Sequence, residues 1–138
     1  MHKEEVASGP GGRVLLMGSI TQVEPQDAGA LVVSASHGGV SSGEYALVLA
    51  PLRLAVFNDA GVGKDRAGIA ALAMLQARGV AGATVSHDSA RIGDAADAWA
   101  HGVVSHANAA AQALGLVPGA PLQAALRRVV GVPSRDGA

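Results

Sequence analysis

The sequence predicts a single α/β domain in which helices flank a mostly parallel sheet. Apolar runs of strand length alternate along the chain with alanine- and leucine-rich stretches of helix length. Polar, glycine-containing loops follow the apolar runs, as in parallel α/β sheets. The 138 residues suit one domain with one core. A mixed α+β sheet is the alternative, because the link between the first two predicted strands is short for a helical crossover.

The first part of the chain supplies two predicted strands and a short helix. Residues 1–12 end in Ser-Gly-Pro-Gly-Gly and are expected to form a flexible leader before the domain, which spans 13–132. Strands are predicted over 13–20 and 30–34, separated by a loop. A helix of roughly 43–50 follows, and the proline at position 51 ends it.

The stretch from Leu52 to Ala77 is the unit around which the rest is organised. It begins with an apolar strand over 52–57 and continues into a glycine-containing loop over 58–65. A helix is predicted from Arg66 to Arg78, with the following glycine as its C-cap. In parallel sheets, ligands bind outside the carboxyl ends of the strands, so this loop is the predicted floor of a small-molecule site.

The second part of the chain predicts one more strand, over 80–86, and further helices. Asp94 is placed to cap a helix that starts at residue 95 and either reaches Leu114 or is split near Gly102. The last helix is predicted over 122–130, and a loose tail over 133–138.

The composition favours a homo-oligomer that binds neither nucleic acid nor membrane. Hydrophobic residues make up 49% of the chain and charged residues 15%, so a small domain has apolar surface to cover. A tightly packed monomer is the alternative. The net charge of −1 comes without a basic stripe, and no uncharged apolar run reaches membrane-spanning length. The charged first five residues lack the apolar core of a signal peptide, so we expect a cytoplasmic protein.

Histidine and acidic residues follow three of the predicted strands. His37, Asp59 and His87 each come after an apolar run, and parallel neighbouring strands would bring them to one edge of the sheet. Imidazole and carboxylate groups are suited to proton transfer, so these three are the predicted catalytic residues. Val-Ser-His occurs at 85–87 and again at 104–106, although the spacing is too irregular for a structural repeat.

The predicted substrate-binding residues are polar or glycine residues near these three side chains: Ser41, Ser42, Asn58, Gly61, Gly63, Lys64, Asp88, Ser89, Arg91 and His106. Lys64 and Arg91 would hold an anionic group. Some of these residues have structural alternatives. Ser41 and Ser42 suit helix caps, as does Asp65, and Arg91 could instead form an ion pair with Asp88 or Asp94.

Known cofactor motifs are absent from the glycine loop. A phosphate-binding loop would need a glycine at position 58 and a hydroxyl residue after Lys64, and a dinucleotide fingerprint would need a glycine at position 66. The chain also lacks a Gly-x-Ser-x-Gly elbow and has no cysteine. No cofactor is therefore expected, and a divalent metal held by histidine and aspartate stays open.

The sequence thus predicts a small cofactor-free enzyme of hydrolase or isomerase type. It would act by acid–base chemistry on a small anionic or amide-containing metabolite. The alternative is a non-catalytic subunit that binds a small ligand, or regulates, and assembles with a larger enzyme. A pocket holding two or more of the predicted histidine and aspartate side chains would favour the enzyme.

Overall fold

The computed structural model describes residues 2–132, which form one six-stranded sheet covered by helices. The strands are β1 (Lys3–Gly9), β2 (Gly12–Met17), β3 (Leu31–His37), β4 (Leu54–Asn58), β5 (Ala81–Val85) and β6 (Val104–Ala107). The helices are α1 (Val40–Val48), α2 (Ala70–Ala77), α3 (Ala95–His101), α4 (Ala109–Ala113) and α5 (Leu122–Val130). The predicted α/β fold is confirmed.

The strands lie side by side in chain order, and the sheet is mixed. Strands β2 to β5 are parallel, whereas β1 and β6 pair with them in antiparallel fashion at the two edges. The central strands are apolar on both faces because each face packs against a separate layer. Val32 and Phe57 belong to the layer with α1 and α2, and Val33 belongs to the layer with Trp99 and Leu126 of α3 and α5.

The segment predicted as a flexible leader contains the edge strand β1. Its residues pair with β2 from Lys3–Met17 to Gly9–Gly12, so Pro10 and Gly11 form the hairpin turn. The Lys3 ammonium lies 2.6 Å from a Glu24 carboxylate oxygen and 3.0 Å from the Asp27 carboxylate. The sequence does not show this strand because its side chains are mostly exposed and lack an apolar pattern.

The link between β2 and β3 makes a parallel crossover without an α-helix. Two 3-10 turns, Ile20–Gln22 and Pro25–Asp27, carry the chain across, and Ile20 and Val23 are buried in the layer with α1 and α2. The link holds no α-helix, as its length predicted, yet β2 and β3 are parallel, so its shortness does not prevent parallel pairing. Buried apolar side chains in the turns do the packing that a helix would otherwise do.

Two helix starts differ from the sequence prediction. Helix α1 begins at Val40 with Gly39 at its N-cap, so Ser41 and Ser42 lie in the first turn and cap nothing. Helix α2 begins at Ala70, four residues later than predicted, after a 3-10 segment over Lys64–Ile69. Asp65 is not the N-cap, because it and the next residue have positive φ angles that interrupt the helix.

The long helix considered for residues 95–114 is split at Gly102. Asp94 caps α3 as predicted, with its carboxylate accepting a hydrogen bond from the Asp97 N–H. Gly102 ends this helix, and the β-branched residues after it enter β6. His106 therefore lies on an edge strand and not on a helix. Helix α5 has the predicted bounds, and the tail predicted over 133–138 lies outside the described residues.

Within residues 2–132, no helix combines the length and the apolar character that crossing a membrane requires.

Candidate functional site

The three predicted catalytic residues lie along one edge of the sheet. His37 at the end of β3 is in register with Asn58 at the end of β4, and Asn58 is in register with Val85 of β5. The Asp59 N–H then donates to the Val85 carbonyl at 2.9 Å, which brings the residues after β4 and β5 together. The parallel pairing of β4 with β5 thus places Asp59 beside His87.

Asp59 is a buried carboxylate held by backbone N–H groups. The residue is only 4% exposed. Its Oδ1 accepts hydrogen bonds from the Gly61 N–H at 2.8 Å and from the His87 N–H at 3.1 Å. The same oxygen lies 3.5 Å from Nδ1 of the His87 imidazole. The carboxylate is therefore fixed in position before any ligand binds.

The surroundings of Asp59 favour its ionised form. Burial acts to raise the pKa of the carboxyl, but this effect is outweighed. The Gly61 and His87 N–H groups donate to the carboxylate, and the nearby Ser105 hydroxyl and the positive charge of a protonated His87 add to their effect. Together they hold the pKa of Asp59 below its usual value, so the carboxylate is a stable hydrogen-bond acceptor at neutral pH.

His87 lies between two carboxylates. Its Nδ1 faces buried Asp59, and its Nε2 lies 3.3 Å from Oδ1 of exposed Asp88. The side chain is 46% exposed, so solvent reaches the ring. An imidazole oriented by a buried carboxylate on one side and open to water on the other is suited to proton exchange.

The loop between β4 and α2 has an unusual backbone that holds this arrangement. Four residues other than glycine have positive φ angles: Ala60, Val62, Asp65 and Arg66. Gly61 and Gly63 have positive φ angles as well. Such conformations cost about 1–3 kcal/mol each for residues other than glycine, and they cluster at active sites and ligand clamps.

Gly68 closes this loop. A Cβ atom at this position would overlap the backbone carbonyl of Asp59 and touch the backbone of Val62, so only glycine permits the close approach. The Gly68 N–H donates to the Val62 carbonyl at 2.7 Å.

A cleft of about 420 Å³ lies between the start of α2 and β6. Ser105 and His106 of β6 line one wall, and Asp65 and Arg66 are among the residues of the loop and α2 that line the opposite one. The Ser105 hydroxyl lies 3.3 Å from Nδ1 of His106 and donates to the Thr84 carbonyl at 3.3 Å. It is also near enough to the Asp59 carboxylate to help lower the pKa of that group.

A continuous series of polar groups therefore runs from the cleft to the rim of the sheet. We call it the polar chain; its members are His106, Ser105, Asp59 and His87 in that order. Thr84, fully buried beneath it, places its hydroxyl 2.8 Å from that of Ser105. One hydroxyl and one carboxylate thus lie between the two histidines.

His37 lies on the same edge but outside the polar chain. Its exposed imidazole has no hydrogen bond to Asp59 or His87 in the described structure. It lines a separate pocket of about 220 Å³ together with Ser41, Ser42 and other residues near the start of α1. The Ser42 hydroxyl donates to the His37 backbone carbonyl at 2.7 Å.

Asn58 and Ser89, two of the predicted substrate-binding residues, are engaged with the backbone. The buried Asn58 amide donates to the Ala90 carbonyl and accepts from the Ala60 N–H, which fixes the start of the glycine loop. The Ser89 hydroxyl accepts from the Val103 N–H and donates to the Ser86 carbonyl.

The other predicted substrate-binding residues of the two loops are exposed. Lys64 and Gly63 lie in the glycine loop and face solvent. Arg91 is exposed as well, and no ion pair among residues 2–132 joins it to Asp88 or Asp94, the two partners considered as its structural alternative. Its backbone N–H instead donates to the Asp97 carboxylate.

Across the described part of the chain, no three histidine, aspartate or glutamate side chains are grouped so that they could hold a metal ion. A metal held by histidine and aspartate at this edge would need His37 and His87 together, with Asp59 or Asp88 as a further ligand. The structure places the His37 ring in a pocket that neither His87 nor Asp59 lines.

The sequence predicted His106 as a site residue. It did not predict Ser105 and Arg66, which line the cleft, or Thr84, whose hydroxyl contacts that of Ser105. The signal for Ser105 was the second Val-Ser-His sequence, at 104–106. Its meaning depended on the antiparallel pairing of β6 with β5, which places Ser105 next to Thr84 and in reach of Asp59. Both alternatives for residues 95–114, one helix or a helix split near Gly102, left out the strand over 104–107 and so concealed that pairing.

Comparison of this chain with protein families, curated proteins and solved structures gives no match. The geometry of the site is therefore the basis for assigning a function.

Proposed function

We propose that this protein is a small enzyme that carries out acid–base chemistry on a metabolite-sized molecule bound in the cleft beside His106. The observation that carries the proposal is the polar chain, in which a buried, ionised carboxylate stands between two histidines. His106 faces the cleft, and His87 faces solvent at the rim. A proton taken from a substrate can thus be delivered to water without the substrate leaving the cleft.

The dimensions of the cleft support a small substrate. Its volume of about 420 Å³ lies within the range of small-molecule sites, which runs from about 300 to 1,000 Å³. Its walls mix apolar residues of α2 with a few polar groups, and Arg66 supplies a cation for a negatively charged or developing anionic group. Both hydrolysis and isomerisation require the proton transfers that this arrangement offers.

The test uses a panel of small esters and amides, together with carboxylic acids whose α-proton exchange is followed in D₂O. We expect turnover of at least one class, and a loss of about 10²-fold or more in His106→Asn, as for other general acid–base groups. His101→Asn is the matched control, because His101 is exposed at the end of α3 and outside the cleft. Turnover that survives in both His106→Asn and Asp59→Asn would contradict the proposal.

The second candidate is a non-catalytic subunit, favoured by the outer face of α1. Val40, Tyr45, Val48 and Leu49 expose apolar side chains there, with Val48 74% exposed. They lie next to the His37 pocket, so a ligand there and a partner on α1 would be neighbours. Val48→Glu tests this: a shift from oligomer to monomer in analytical ultracentrifugation, with no turnover of any panel compound by the wild type, would favour the subunit over the enzyme.

A further inference from the structure

We propose that Ser105 is a nucleophile and that the cleft binds a small ester or amide, whose carbonyl carbon Ser105 attacks. The inference rests on the acid–base function proposed above and selects hydrolysis, through an acyl-serine, over isomerisation. Ser105 was not among the predicted site residues, and three features of its surroundings carry the inference.

The first feature is a β-bulge that turns Ser105 toward the cleft. In the pairing of β5 with β6, Thr84 is opposite His106 and Val85 is opposite Val104, so Ser105 has no partner. Successive side chains of a regular strand point to opposite faces, but the extra residue of a bulge breaks this alternation. Ser105 and His106 therefore line the same cleft although they are adjacent in sequence.

The second feature is the set of groups around the Ser105 hydroxyl. Its oxygen lies 3.3 Å from Nδ1 of His106, and the Asp59 carboxylate is near enough for the hydroxyl to help lower its pKa. Thr84 completes the set, with its hydroxyl at 2.8 Å and its carbonyl at 3.3 Å. A hydroxyl within reach of an imidazole that can take its proton is the arrangement found in nucleophilic catalysis.

The third feature is the opposite wall of the cleft. Arg66 lines it, held there by a backbone with a φ angle of 59°. Within residues 2–132 its guanidinium forms no ion pair. Its neighbour Asp65 brings one negative charge to the same wall. The guanidinium is thus free to stabilise the oxyanion that forms when a carbonyl group is attacked.

The reaction balances with water as the only co-reactant. The Ser105 oxygen bonds to the carbonyl carbon, and the hydroxyl proton moves to Nδ1 of His106. The tetrahedral intermediate then collapses, the bond to the alcohol or amine breaks, and His106 returns the proton to that leaving group. Water attacks the acyl-serine in the same way, which releases the carboxylic acid and restores the serine hydroxyl.

A fluorophosphonate is the probe for this inference. The Ser105 oxygen would attack phosphorus, fluoride would leave, and His106 would take the hydroxyl proton. We expect one phosphonyl group per chain by intact mass, placed on Ser105 by peptide mapping. Ser105→Ala should abolish labelling, and His106→Asn should slow it by about 10²-fold, as for loss of a general base.

Controls separate reactivity from folding. Ser8 lies exposed on edge strand β1, and Ser8→Ala should label as the wild type does. His101→Asn should likewise label at the wild-type rate. Each variant is checked by thermal unfolding, so that a misfolded protein is not counted. His106→Asn leaves the serine in place and therefore tests activation even if Ser105→Ala is unstable.

The outcomes distinguish this inference from the function on which it rests. The inference that Ser105 is a nucleophile is overturned if the folded wild type stays unlabelled. It is also overturned if His106→Asn is labelled as fast as the wild type. If the panel assay nevertheless shows turnover that depends on His106, acid–base catalysis without a covalent intermediate remains. Labelling of Ser105 that depends on His106 would support the nucleophile. If that labelling is unchanged in Asp59→Asn and His87→Gln, the polar chain is overturned as the unit that activates Ser105.

Discussion

Replacing Asp59 with asparagine tests how much the buried carboxylate contributes to the fold. The substitution keeps the size of the side chain and one acceptor oxygen, but it removes the charge. Hydrogen bonds to charged groups contribute about 1.5–3 kcal/mol each and neutral ones about 0.5–1.5 kcal/mol. Weakening the bonds from the Gly61 and His87 N–H groups therefore costs roughly 2 kcal/mol, partly offset because the neutral amide is easier to bury. We expect a net loss of about 1–2 kcal/mol in unfolding free energy at pH 7.

The pH dependence of this difference follows from the lowered pKa of Asp59. A carboxyl whose pKa is lower in the folded than in the unfolded protein stabilises the fold when ionised. This contribution is complete at pH values above the unfolded-state pKa, for which the ordinary value is 3.8. It is lost as the pH falls through the lower pKa of the folded state. The gap between wild type and Asp59→Asn should thus be constant near neutrality and shrink below about pH 4.

Urea unfolding at pH 7, 5 and 3 measures both effects, with Asp88→Asn as the control. Asp88 is also next to the His87 ring, but its side chain is 85% exposed, so its replacement should change the unfolding free energy by less than about 0.5 kcal/mol. Equal stability of Asp59→Asn and wild type at pH 7, or a gap that does not change down to pH 3, would refute the reasoning.

Three further substitutions test the structure that supports the site, each by urea unfolding. Val62→Gly should raise stability by about 1 kcal/mol, because a β-branched residue at a φ angle of 69° is strained; unchanged or lower stability would contradict that strain. Gly68→Ala should cost about 2 kcal/mol or more, since the new methyl group overlaps the Asp59 carbonyl, and a stable variant would show that the loop relaxes freely. Asn108→Ala should lower the free energy of unfolding by about 3 kcal/mol, because the Asn108 amide makes four hydrogen bonds to the backbone. Hydrogen exchange at the Gly82 N–H, which donates one of these bonds, should become faster.

Much of the fold was predictable because the central strands are buried on both faces. Leu31, Val33 and Phe57 lie in apolar runs that local sequence reveals, and these strands lie within about three residues of their predicted positions. The edge strands were not predictable in this way. The exposed strand containing Lys3 depends on ion pairs with residues more than 20 positions away, and the strand containing His106 has an alanine-rich surrounding that resembles a helix.

In the candidate site, too, residues that follow internal strands were predictable, and residues of an edge strand were not. Asp59 and His87 each follow a strand of the parallel pair, so the topology predicts their proximity. Ser105 could not be inferred, because its position depends on a bulge between an internal strand and an edge strand. His37 shares the edge, yet its ring lines a different pocket. Strand order brings residues to one edge, but it does not determine which side chains meet there.

The most direct test of the account is a double-mutant cycle between His87 and His106, measured as kcat/KM for a compound that the panel assay identifies. If the two histidines act together through the polar chain, most of the loss appears in either single variant. His87→Gln combined with His106→Asn should then be scarcely slower than the worse single variant. Independent losses that multiply in the double variant would contradict the polar chain as the working unit of this protein.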